Sequence, residues 1–96
     1  MAIVAVFESP SLTQQKYEES ARRVSGKPRL ASPADWPVAG LLAHVAGQGA
    51  KGFRVVDVWE SEEAFRRFGE KLMPVLKAVG VEGQPDIYPA HTFVSA

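Results

Sequence analysis

The segment that most constrains this chain is residues 52–68, GFRVVDVWESEEAFRRF. Its first half, Phe53-Arg54-Val55-Val56-Asp57-Val58-Trp59, is aromatic and β-branched, which suits a strand. Glu60-Ser61 follows, and an amphipathic pattern begins at once. Ser61 stands where a helix N-cap belongs. Glu62 and Glu63 fall in the first turn, where negative charge complements the helix dipole. Phe65, Phe68, Leu72, Leu76 and Val79 recur every three or four residues and mark a buried stripe. The chain therefore passes from strand to helix just beyond its midpoint. The strand also carries an acid, Asp57, among residues that belong in a core.

Pro74 interrupts the helical stripe. It removes the amide that would bond to the Glu70 carbonyl, so a kink or break is expected near residues 71–73. Gly80 suits a left-handed helix stop, with Val81 placed to contact Leu76 as in a Schellman cap.

The remaining elements fall on either side. Residues 2–8, AIVAVFE, form a short apolar run that reads as a buried strand. Ser9-Pro10-Ser11 ends it. Thr13 then caps a first helix, with Leu12 and Tyr17 at the two positions of a hydrophobic staple. Tyr17, Ala21 and Val24 give that helix a narrow apolar stripe. Glu18 with Arg22, and Glu19 with Arg23, are pairs on its wet face worth about 0.3 kcal/mol each. Gly26 suits its C-terminal cap. Residues 27–38 hold Pro28, Pro33 and Pro37 and form a long irregular linker. Leu30 and Trp36 anchor it, so it is expected to pack as a lid over one end of the sheet. Residues 39–46, AGLLAHVA, read as the second strand, and the glycine-rich reversal at residues 47–52 makes a hairpin with the third. No helix follows those glycines closely, so they do not form a phosphate loop. Residues 86–94, DIYPAHTFV, read as the last strand, at an edge or bulged because of Pro89.

The order strand, helix, strand, strand, helix, strand is the split βαβ, or ferredoxin-like, α+β arrangement. Right-handed crossovers then give an antiparallel sheet of order 4-1-3-2. Two helices cover only one face of such a sheet. The strands, however, are apolar at both parities. Leu41, Ala43 and Val45 alternate with Leu42, His44 and Ala46, and Val56 and Val58 with Val55 and Trp59. An uncovered apolar face calls for a partner, and a homodimer packed sheet on sheet supplies one.

Composition narrows the function classes. With 96 residues, the chain makes a single domain, small enough that a partner subunit aids stability. Acidic and basic residues balance at 11 each, so nothing points to nucleic acid. The absence of cysteine removes disulfides, thiolate nucleophiles and cysteine metal sites. The N-terminal run lacks the basic flank of a signal peptide, and no run approaches the length of a membrane span. A soluble cytoplasmic protein without membrane association is expected.

His44 and Asp57 are the residues best suited to chemistry. A hairpin turn centred within residues 48–50 puts them on one sheet face in adjacent strands. There Asp57 can orient His44 as a general base. The competing reading is a buried histidine satisfied by an acid for structural reasons. His91, on the fourth strand, lies at the opposite sheet edge and can approach His44 only across a dimer. The pair with Asp57 would match the ligand list of a non-haem iron facial triad, but the clustering typical of metal sites is missing, so no metal is expected. Tyr17, Trp59 and Tyr88, with His91, are the residues placed to contact a flat ligand, Trp59 at the cavity mouth. Phe65 and Phe68 read as core. Arg54 and Glu60 are expected on the opposite parity, in solvent or at the dimer contact.

Three segments carry a family resemblance: GLLAHVAG (residues 40–47), RVVDVWESEEAFRRF (residues 54–68) and PAHTFV (residues 89–94). Together they resemble small bacterial proteins of the dimeric α/β-barrel superfamily, in the antibiotic-biosynthesis-monooxygenase-like branch. The resemblance implies a ferredoxin-like protomer whose sheet joins a second to form a barrel, with the helices outside. The first functional reading is then a small oxygenase-like or isomerase-like enzyme acting on an aromatic or polyketide-type ligand with no bound cofactor, in which His44, oriented by Asp57, removes an acidic proton to give an anion that reacts with oxygen. Characterised relatives include cofactor-free oxygenases, haem degraders and muconolactone isomerases, and the family carries no portable catalytic triad. The alternative is a ligand-binding or stress-related homodimer in which His44 is structural. An enclosed cavity reaching His44 favours the enzyme, whereas side chains filling that space favour the structural dimer.

Overall fold

Strand β1 (Ile3–Ser9) forms the inner rail of the sheet in a computed structural model that describes residues 1–96. Helix α1 (Gln14–Ser25) follows, then a 3-10 turn at Pro33–Asp35 and the hairpin of β2 (Leu41–Gln48) and β3 (Phe53–Trp59). Helix α2 (Glu62–Val79) and a short edge strand β4 (Asp86–Pro89) complete the chain. The sheet has four strands in the order β2-β3-β1-β4, and every neighbouring pair is antiparallel. The architecture is an α+β open sheet with two helices, compatible with a ferredoxin-like fold.

Local chemistry sets the helix ends. The Thr13 hydroxyl accepts from the Lys16 amide at 3.1 Å, and the Ser61 hydroxyl accepts from the Ala64 amide at 3.1 Å. Gly26 closes α1 in the left-handed conformation. Gly80 closes α2 likewise, and the Val81 amide returns to the Leu76 carbonyl at 2.9 Å, the long bond of a Schellman cap. Gly40 has φ +113° and lies so close to α2 that a Cβ there would stand 2.7 Å from the Ala64 Cβ. The helix is thus drawn down onto the start of β2.

Helix packing defines one face of the sheet. Ile3, Ala5, Trp36, Leu41, Trp59, Ala64 and Phe68 form the main buried cluster, with Leu30 and Val38 of the linker packed against it. Leu12, Phe53 and Val81 form a second, and Tyr17 packs there, opposite Leu12, as the staple requires. The linker packs as the sequence suggests. Asp35 holds it, accepting from the Ala31 amide at 2.8 Å, the Ser32 amide at 3.0 Å and Lys27 Nζ at 3.0 Å.

Several expectations need correction. Of the kink or break expected near residues 71–73, the break does not occur: helix α2 is continuous through Pro74. Phe68 and Leu72 pack on one side of the proline and Leu76 and Val79 on the other, so burial on both sides holds the helical path despite the lost bond. Strand β2 starts two residues later than expected, because Gly40 is used in the approach to α2. Strand β4 ends at Pro89 rather than at residue 94. Its ladder with β1 runs from Val6↔Asp86 to Ile3↔Pro89, and one further bond joins the Ala90 amide to the Ala2 carbonyl at 2.9 Å. On α1, Glu19 takes both Arg22 and Arg23 at 3.4 and 3.5 Å, and Glu18 does not pair with Arg22. Strict alternation along β2 also fails. A bulge between Leu41 and Ala43 inserts Leu42, so Leu41 and His44 share the helix-covered face.

Candidate functional site

The hairpin brings the site together. With Gln48 opposite Phe53, His44 falls directly opposite Asp57 on β3. Both face the helices. The His44 Nδ1 lies 2.6 Å from Asp57 Oδ1. Asp57 Oδ2 accepts from the indole N–H of Trp59 at 3.2 Å. A carboxylate only accepts, so Nδ1 carries a hydrogen and donates to Asp57. Asp57 is buried at 6% exposure yet has a donor on each oxygen, as a buried charge requires.

Helix α1 supplies the next link. The Tyr17 hydroxyl stands 2.5 Å from His44 Nε2. In the neutral imidazole that nitrogen accepts, so the phenol donates to it. The Tyr17 and His44 rings are stacked with centroids 5.9 Å apart, and the edge of Trp36 meets His44 at 4.8 Å. The result is one continuous chain of hydrogen bonds, Tyr17–His44–Asp57–Trp59, from helix to sheet. Burial pushes the Tyr17 phenol above its ordinary value, and the negative charges of Asp57 and Glu18 push the same way. The phenol therefore stays protonated well into alkaline conditions.

This chain borders a cavity of about 530 Å³ between the helices and the sheet. Tyr17, His44 and Asp57 are in its wall, and the rest of the lining is mostly apolar, including Phe7, Val55, Phe65, Leu72 and Ile87. Glu62, Arg66 and Glu70 of α2 add charge. The volume lies within the about 300–1,000 Å³ usual for small-molecule sites. Ser20, one turn along α1 from Tyr17, also lines it, and its buried hydroxyl has no hydrogen-bond partner.

The sequence-derived candidates divide. His44, Asp57 and Tyr17 come together. Trp59 has no exposed surface, so it acts through its N–H on Asp57 and not at a cavity mouth. Tyr88 is 49% exposed and pairs with Val4 on the uncovered face, away from the cavity. His91 follows β4, at the sheet edge opposite β2, and its exposed ring is hydrogen-bonded to the neighbouring Thr92 hydroxyl at 2.8 Å. The structure does not bring His91 to His44. No group of three His, Cys, Asp or Glu side chains stands together to hold a metal ion. Phe68 is core as expected, while Phe65 is partly buried and reaches the cavity. Arg54 pairs with Glu8 at 3.1 Å on the uncovered face.

Sequence reasoning missed three contributors. The Tyr17–His44 bond depends on how α1 docks, which no local pattern encodes. Trp36 reaches His44 from an irregular linker. Ser20 is not among the apolar residues that mark the α1 stripe, although its spacing of three from Tyr17 places it on the same side of the helix. No helix is long and apolar enough to cross a membrane. No family model and no curated protein matches this chain.

Proposed function

We propose that the chain forms a homodimeric α/β barrel, each protomer of which oxidises a hydroxylated aromatic or polyketide-type molecule with dioxygen and without a bound cofactor. The observation that carries this reading is the apolar cavity of about 530 Å³ with the His44–Asp57 pair in its wall. Loss of the ligand's acidic proton toward His44 leaves an electron-rich carbanion or enolate. Asp57 stabilises the imidazolium so formed. The anion adds dioxygen and a proton to give a hydroperoxide, which loses water to leave a carbonyl. Dioxygen is the oxidant, and the ligand supplies the electrons. An apolar wall favours this chemistry because it strengthens the His44–Asp57 interaction.

The dimer is supported by the uncovered face of the sheet. Val4, Val6, Val56, Val58 and Ala43 lie there, with Val45 the most exposed of the strand valines at 66%. Both helices pack on the other face. The resemblance to the dimeric α/β-barrel superfamily points the same way. A pairing of about 800 Å² per partner is usual for a stable interface.

The test is oxygen uptake over a panel of phenols and keto-enols. Turnover is expected with the wild-type chain and not with His44→Ala. Undiminished turnover in that variant would falsify the role of His44. A second reading, a ligand-binding homodimer without turnover, is favoured by one observation: both His44 nitrogens are already satisfied by protein partners. It predicts saturable binding by the wild-type chain with no oxygen consumed.

A further inference from the structure

We infer that Tyr17, rather than His44, is the group that meets the ligand, and that the site selects molecules presenting an O–H donor to the Tyr17 oxygen. The inference rests on the small-molecule-site reading above. Its basis is the hydrogen-bond inventory of the wall. Asp57 takes the hydrogen on His44 Nδ1. His44 Nε2 has one lone pair, and the Tyr17 hydroxyl occupies it at 2.5 Å. A ligand proton therefore has no direct acceptor on the imidazole. The Tyr17 hydroxyl has one hydrogen, committed to His44, and a free lone pair. What it offers a ligand is an acceptor.

The proton path follows from that direction. The ligand O–H bond breaks and its proton goes to the Tyr17 oxygen. As it arrives, the hydrogen of Tyr17 passes to His44 Nε2. The products are a ligand oxyanion, a neutral tyrosine and an imidazolium against the Asp57 carboxylate. Net charge is unchanged, because the positive charge gained by His44 balances the ligand oxyanion, and no further reactant is needed. Tyr17 is suited to passing the proton on, since burial disfavours its phenolate. His44 is the final acceptor of the proton, reached through Tyr17, and Asp57 positions the imidazole and faces its charge. Phe53, with its ring centroid 5.1 Å from that of Tyr17, and His44, stacked on it, hold the phenol in place.

The class of ligand is thus a phenol or enol on an apolar frame, preferred over its O-methyl ether. Para-nitrophenol and para-nitroanisole form a matched pair of probes, because the phenolate absorbs in the visible. The wild-type chain is expected to bind the phenol about five- to tenfold more tightly than the ether, the usual worth of one net hydrogen bond. Bound phenol is also expected to show more phenolate absorbance than free phenol at the same pH. Tyr17→Phe keeps the ring that packs on Phe53 and holds a ligand one hydroxyl away from Nε2. It is expected to bind both probes alike, with no gain in phenolate. Equal wild-type affinity for phenol and ether overturns the inference without any variant. So does a folded Tyr17→Phe, checked by circular dichroism, that retains the preference and the phenolate signal. In that case His44 meets the ligand directly and the proposed site survives. Failure of the wild-type chain to bind either probe instead removes the small-molecule site itself, and this inference with it.

Discussion

Tyr17 links the core to the cavity, and its titration gives the first prediction. Its folded-state value lies above the ordinary 10.0. The folded chain thus holds this proton more tightly than the unfolded chain does. The stability it contributes is intact below the ordinary phenol value and is lost as pH climbs through the folded value above it. Urea unfolding midpoints are expected to fall above about pH 10. Part of that fall disappears in Tyr17→Phe, and an identical fall in both chains would sink the attribution. Ser20 gives the second. Its buried hydroxyl lacks a partner, and alanine is the better helix former. Ser20→Ala is expected to stabilise the free chain by about 0.5–1 kcal/mol by thermal unfolding. A loss above about 1 kcal/mol would mean the hydroxyl has a partner, such as an ordered water. At this scale the His44–Asp57 pair was legible, because parity about a glycine hairpin fixes which residues face one another. The third member, Tyr17, was not, since a helix-to-sheet contact depends on docking and not on spacing.

Elements were legible where local chemistry decides them. Thr13, Gly26, Ser61 and Gly80 sit at the helix ends because each satisfies orphan backbone groups there. What the pattern misjudged was competition between local and tertiary terms. Pro74 costs a helix interior about 3 kcal/mol in isolation. The packing of Leu76, Val79 and Val81 on the second cluster outweighs it, and α2 runs through. Pro74→Ala is therefore expected to stabilise the chain by about 1–2 kcal/mol, after allowing for the freedom alanine returns to the unfolded state. A destabilised variant in chemical denaturation would show that a bend at Pro74 is required for packing. The bulge at Leu42 escaped for a related reason, since the pull of Gly40 toward Ala64 is a tertiary contact. The linker depends on one carboxylate. The Ala31 amide, the Lys27 ammonium and the Ser32 amide hold Asp35 below the usual carboxylate range. The stability it adds to the linker is present above that range and lost as pH falls through the lowered value. In a Trp59→Phe background, tryptophan fluorescence reports Trp36 alone and is expected to change in that acid window, a transition that Asp35→Asn in the same background loses.

At the scale of the whole molecule, the two sheet faces have different fates. The helix-covered face holds both buried clusters and the cavity. The other carries valines from three strands, bordered by the Glu8–Arg54 pair at one end and by Asp86 and Tyr88 of β4. The sequence showed that both parities were apolar, which is why a partner was expected. It did not show how the area divides, because the bulge in β2 moves Leu41 and His44 onto one face and leaves Leu42 43% exposed. The proposed homodimer makes a sharp prediction at Val45. At 66% exposure, a lysine there has room in the free protomer and leaves the clusters untouched. Across a two-fold interface the same substitution is met twice and buries an unpaired ammonium on each side, at several kcal/mol per ion. Light scattering at micromolar concentration is expected to give about twice the 10.4 kDa chain mass for the wild-type chain and that mass for Val45→Lys. Circular dichroism should be unchanged between them. A wild-type monomer would remove the barrel. A dimeric Val45→Lys would move the interface off this face, and the valines of β1 and β3 would then need another cover.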